Sequence, residues 1–226
     1  MQISKILTAS VLLGGIAFSG ILNAEELAVK ITKDLGSVTV KHEGKDVVIM
    51  RNQEKDHKIN PLFTKTSRHC PPFCVAPMSL HADVETIGEL DVLDYLNKAS
   101  NGDKSILVVD SRTPEWLMRG TIPGAINVPW LKISPNNNSA FEVEEIANRD
   151  AILTDTFGAK KADGDKWNFS NAKTLVMFCN GSWCEQSPNN IHTLLGLGYP
   201  PAKIKWYRGG MQDWEMLGLT TIKGKR

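Results

Sequence analysis

The spacing of apolar residues changes character twice along this chain. Residues 6–22 form an almost continuous apolar run, softened by Gly and Ser. The next segment carries SVTVKHEGKDVVIMRN, two β-branched runs around the turn-forming HEGKD, which predicts a β-hairpin. INPLFTKTSRHCPPFCVAPM follows it, rich in Pro and without a period, as an irregular connector. From residue 81 helical spacing alternates with short, wholly apolar runs. ETIGELDVLDYLNKAS places Ile87, Leu90, Val92, Leu93 and Leu96 at helical intervals and stops at Asn101 and Gly102. SILVVD reads as a strand buried on both faces, PEWLMRG as a short helix entered through Thr113 and Pro114, and AINVPW as another strand. A polar segment then holds an amphipathic helix over 141–157 and a loop-like excursion. TLVMF, a helix after Ser187, KIKWYRGG, MQDWEMLGL and TTI complete the alternation.

This alternation predicts an α/β fold, an open parallel sheet flanked by helices, preceded by a small N-terminal β-rich extension. Three segments follow: a leader over 1–24, the hairpin and Cys-Pro-rich connector over 25–80, and the α/β domain over 81–226. The leader has Lys5 as its only charge and Ala24 at a plausible cleavage point before Glu25 and Glu26, the signature of a secretory signal peptide. An uncleaved anchor helix is the alternative reading. No later run is long and apolar enough to span a bilayer, so cleavage leaves no stable membrane span and a periplasmic or secreted protein. Loss of Lys5 with the leader leaves 25 basic and 25 acidic residues. That evenly mixed balance offers no footprint for nucleic acid. The four cysteines fall as two close pairs, Cys70 with Cys74 and Cys179 with Cys184, rather than as a disulfide scaffold.

Cys179 stands one residue beyond TLVMF, at the carboxyl end of a predicted strand, where open sheets of this class bind ligands. Ser187 and Pro188 suit a helix start, with Ser187 as N-cap. Residues 179–187 are therefore expected to form a loop between strand end and helix N-terminus. Its N–H groups and the helix dipole would favour a thiolate or persulfide at Cys179 over the neutral thiol.

LVVDSRTPEWLMRGTIPGAINVPW and TLVMFCNGSWCEQSPNNIHTLLGLGYPPAKIKWYRGGMQDWEMLGL resemble the two signature regions of the rhodanese, or sulfurtransferase, domain. Asp110 and Arg112 match the family's Asp-x-Arg, Ile122 to Ala125 its Ile-Pro-Gly-Ala turn, and Gly209 and Gly210, followed by Trp214, its paired glycines. Cys179 falls on the catalytic cysteine, and the resemblance spans 81–222. It implies a sulfane sulfur moved from thiosulfate, polysulfide or an organic persulfide to a thiol or cyanide through a Cys179 persulfide, with no cofactor and no metal. A redox or sulfur-carrier protein is a further candidate partner. The substrate-binding loop would comprise Asn180, Gly181, Ser182, Trp183, Cys184, Glu185, Gln186 and Ser187, with Asp110 and Arg112 in support. Arg112 has a structural alternative, pairing with Glu115.

The loop departs from the family pattern. It is longer than usual, lacks a basic residue, and carries Glu185. Trp183 offers either an apolar wall for an organic donor or a packing contact. Cys184 has three readings: a packing residue, a disulfide partner of Cys179 in a thiol–disulfide redox protein, or a resolving thiol. For Cys70 and Cys74 the leading reading is a local disulfide, with a metal site including His69 or a redox shuttle as alternatives. Two other classes compete: a phosphatase, disfavoured because Glu185, Gln186 and Ser187 occupy the place of the closing arginine, and a non-catalytic binding module. His42, His57 and His81 read as surface residues.

Overall fold

The computed structural model describes residues 27–134, 148–164 and 166–224. The expected leader lies outside these residues, as does much of the helix expected over 141–157. Its described end is helical at 148–151 and continues as a π-helical turn, Ile152–Thr156.

Five strands form one parallel sheet in the order β3-β9-β8-β4-β5. They are β3 (Glu85–Ile87), β4 (Ile106–Asp110), β5 (Ile126–Asn127), β8 (Thr174–Phe178) and β9 (Ile204–Tyr207). Two antiparallel pairs stand apart from it, β1 (Ser37–His42) with β2 (Lys45–Met50), and the short β6 (Lys160–Lys161) with β7 (Trp167–Asn168). The described helices include α1 (Glu89–Ser100), α2 (Pro114–Arg119), α3 (Gln186–Gly196) and α4 (Gly210–Met216).

The apolar runs of β4 and β8 are covered on both faces, as their composition requires. Val108, Val176 and Phe178 pack with Val92, Leu93 and Leu96 of α1 and with Met211 and Trp214 of α4. On the opposite face, Val109, Leu175 and Met177 pack with Ile191 and Leu194 of α3, Leu153 and Phe157. Strand alternation thus divides one short sequence between two cores.

The extension closes the first of those cores. Glu43 and Gly44 both have positive φ, the geometry of a tight two-residue hairpin turn. The hairpin inserts Val40 and Ile49, each fully buried, among the α1 and α4 side chains. His42, expected at the surface, is partly buried, and its Nδ1 accepts the Gly124 amide at 3.0 Å. Arg51 bridges to Leu219 and donates through Nε to Leu217 O at 2.8 Å.

Three expectations need correction. Residues 85–87 form an edge strand on β9 rather than the first turn of a helix, and α1 starts after Gly88. AINVPW pairs only at Ile126 and Asn127, because Pro129 has no N–H to extend the ladder. TTI forms an isolated bridge, Thr121 to Ile222, instead of a strand. Among the described residues no helix is long and apolar enough to cross a membrane.

Because the hairpin shares the main core, Ile49→Ala is expected to destabilise the whole fold by about 2–4 kcal/mol. Urea denaturation followed by tryptophan fluorescence should show one transition at a lower midpoint. An unchanged midpoint would mean that the hairpin is energetically separate.

Candidate active site

The carboxyl ends of β4, β8 and β9 converge, and a buried ion pair organises the first. Asp110 and Arg112 have 0% and 1% side-chain exposure. Arg112 Nε and Nη2 donate to Asp110 Oδ1 and Oδ2 at 2.9 and 2.6 Å, a bidentate arrangement. Nη2 also donates to Gly120 O at 2.6 Å, and Nη1 reaches Asn180 Oδ1 at 3.3 Å. Thr121 Oγ1 donates to Asp110 Oδ2 at 2.7 Å. Arg112 thus pairs with Asp110 instead of Glu115 and couples the end of β4 to the loop after β8.

That loop holds Cys179 against the start of α4. The Met211 and Gln212 amides donate to Cys179 O and Asn180 O at 3.0 and 2.9 Å. Such proximity requires glycine at 210: a Cβ there would lie 2.3 Å from Cys179 O, and φ is +55°. The Cys184 amide donates to Gly181 O at 3.0 Å, folding the second cysteine back toward the first.

Ser187 differs from its expected role. α3 begins at Gln186, with Glu185 in the capping position and no side-chain cap. The Ser187 hydroxyl is buried and donates to Cys179 Sγ at 3.2 Å, while accepting from Trp206 Nε1 at 3.3 Å. The indole N–H engages the serine oxygen and leaves its hydroxyl proton for the sulfur. Trp206 therefore lies in the core, as its apolar surroundings suggest, and also orients a group at the site.

Burial pushes the Cys179 thiol up, but hydrogen bonds from the Cys184 side chain, the Ser187 side chain and amide, and the Gly181 amide outweigh it. The net result is a fall from 9.0 to about 7. As a thiol, Sγ can donate to Cys184 O at 3.3 Å; as a thiolate it keeps only the incoming donors. Cys184 moves the opposite way, well above its ordinary value, through burial, its hydrogen bond to Cys179 and the charge there. The pair favours a thiolate at Cys179 beside a protonated Cys184. Both thiols are free and buried.

The connector covers this loop. Cys70 and Cys74 are joined by a disulfide, so neither offers a thiolate to a metal. His69 Nδ1 lies 2.8 Å from Pro71 O. Among the described residues no cluster of three or more His, Cys, Asp or Glu forms a metal site. The Ala76 amide donates to Ser182 O at 2.7 Å, and Phe73 meets the Trp183 ring edge-on at 5.8 Å. Trp183 Nε1 donates to Gln212 Oε1 at 2.5 Å, and Arg208 donates to Ala76 O and Pro77 O at 2.9 and 3.1 Å. Glu185 is exposed and lines a cleft of about 310 Å³ with Asn189 and His192. The sequence did not single out Arg68, Phe73, Arg208 or Gln212, because nothing local marks contacts formed between segments 29 to more than a hundred residues apart.

Alkylation of Cys179 by iodoacetamide should rise with pH around a midpoint near 7, because the thiolate is the reactive form. Cys184→Ala removes a donor and should move that midpoint upward, whereas Cys184→Ser should retain most of the effect. A midpoint unchanged by alanine would remove Cys184 from the account.

Comparison with known proteins places this geometry in a family. The model described as "Rhodanese-like domain" matches residues 92–217. The HTH-type transcriptional regulator Rv0324 of Mycobacterium tuberculosis is 28% identical over 119 residues, covering 53% of this chain and 38% of the regulator. The chain thus spans well under half of that relative's length. An Escherichia coli structure described as "rhodanese with anions" is 23% identical with a TM-score of 0.31, covering 53% of this chain and 99% of the other. Thiosulfate sulfurtransferase from Pseudomonas aeruginosa is 19% identical with a TM-score of 0.37, covering 63% and 21%. With more than half of the chain matched, this protein belongs to the rhodanese-like domain family.

Proposed function

We propose that the protein is a sulfurtransferase that carries sulfane sulfur as a persulfide on Cys179. The observation that carries this reading is the Cys179 thiol, lowered to about 7 by donors from Gly181, Cys184 and Ser187 at the end of a central strand. The thiolate attacks the outer sulfur of thiosulfate, a polysulfide or an organic persulfide. The donor's S–S bond breaks, and its electron pair leaves with the inner fragment, as sulfite when thiosulfate is the donor. The Gly181 and Ser187 amides that face Sγ stabilise the anionic sulfur. A thiol or cyanide then takes the outer sulfur and returns the thiolate, so the two half-reactions predict ping-pong kinetics. The apposed free thiols favour a second reading, a thiol–disulfide redox protein using Cys179 and Cys184. The Cys70–Cys74 disulfide supports an oxidising, periplasmic or secreted setting.

Reduced protein given thiosulfate or polysulfide should gain about 32 Da, one sulfur atom, at Cys179. Cys179→Ser should abolish both the adduct and transfer to cyanide. Intact-mass spectra with no adduct from either donor would sink the persulfide reading. A loss of about 2 Da mapped to Cys179 and Cys184 would favour the redox alternative.

A further inference from the structure

The family match begins at residue 92, yet the connector that covers the Cys179 loop lies upstream of it. We propose that Arg68, on this connector, is a specificity-determining residue: it supplies the positive charge that favours an anionic sulfur donor of the thiosulfate class at the loop mouth. This inference rests on the persulfide reading and names its donor class.

The loop has no cation of its own. Residues 179–187 include no Lys or Arg, and their one charged side chain, Glu185, points outward into the cleft beside α3. Two nearby guanidiniums already have partners. Arg112 is buried against Asp110, Gly120 O and Asn180, and Arg208 donates to the carbonyls of Ala76 and Pro77.

Arg68 is different. Its guanidinium carbon lies 3.7 Å from the centroid of the Trp183 ring and 5.9 Å from that of Phe73. Nη2 makes a 3.3 Å bond to Leu62 O, while Nε is buried without a hydrogen-bond partner. Among the described residues no carboxylate pairs with it. A partly buried cation is therefore held in place by aromatic stacking, with its charge not neutralised.

The stack faces the loop. Trp183 Nε1 is fixed by Gln212 Oε1 and lies 3.2 Å from the position of a Cβ built on Gly181. The guanidinium thus rests on a loop side chain that is itself tied to α4. The apolar ring against the guanidinium screens less than water does, so the Arg68 charge is felt by an anion that binds at this loop. The Cys70–Cys74 disulfide closes the short ring of chain that holds Phe73 against the indole edge.

Calorimetry with thiosulfate tests this in full-length protein bearing Cys179→Ser, which binds without turning over. Adding Arg68→Gln should raise the thiosulfate Kd about tenfold, the scale of one partly screened charge, and flatten its salt dependence. Arg68→Lys should restore most of the affinity. With Cys179 intact, Arg68→Gln should slow persulfide formation from thiosulfate while leaving unchanged the loading from an alkyl hydropersulfide in its neutral form, whose outer sulfur passes to Sγ as the alkyl thiolate leaves. Equal losses with both donors, an unchanged thiosulfate Kd, or no measurable thiosulfate binding would overturn the proposal. If no donor loads Cys179 but thiosulfate binds in an Arg68-dependent manner, the persulfide reading fails and the anion-selecting role stands.

Discussion

The carboxyl edge of the sheet depends on the buried Asp110–Arg112 pair. Desolvating two charges is costly, and removing one partner of such a pair generally destabilises a fold by about 3–5 kcal/mol. Here the remaining valences are used. Arg112 holds Gly120 O and Asn180, and Asp110 also accepts from Thr121. Asn127 Nδ2 donates to both backbone carbonyls of the pair, Asp110 O at 2.9 Å and Arg112 O at 2.8 Å. One ion pair thereby fixes the end of β4, the turn leading to β5, and the residue after Cys179.

The adjoining cysteine shows competition between solvation and hydrogen bonding. Burial by itself would keep the Cys179 proton in place, and inward donors reverse that preference. They come from the loop, from α3, and through Trp206 from β9. Glu185, the loop's one acidic residue, is exposed and lines the cleft beside α3. The N-terminal extension contributes at two levels. Its hairpin completes a core with Val40 and Ile49, and its disulfide-closed connector packs on Trp183.

The paired hydrophobic runs, the helical spacing after residue 88, and the hairpin turn were legible because each depends on local geometry. The position of Cys179 at a strand end followed from one apolar run, TLVMF, and the polar loop behind it. The paired glycines were visible as a motif, and the structure shows why one of them is needed, since a Cβ at Gly210 would lie 2.3 Å from Cys179 O. Edge strand β3 was not, since its three residues are extended only because β9 offers them a ladder.

Sequence alone determined the α/β class and the reactive cysteine as a candidate, because composition and periodicity act over a few residues. Tertiary structure decided which partner Arg112 takes, what the Ser187 hydroxyl does, where Glu185 points, and which connector residues cover the loop. Those outcomes turn on contacts between segments far apart in the chain. Arg68 reaches Trp183, and Trp206 reaches Ser187, only after the sheet and its helices have brought them together.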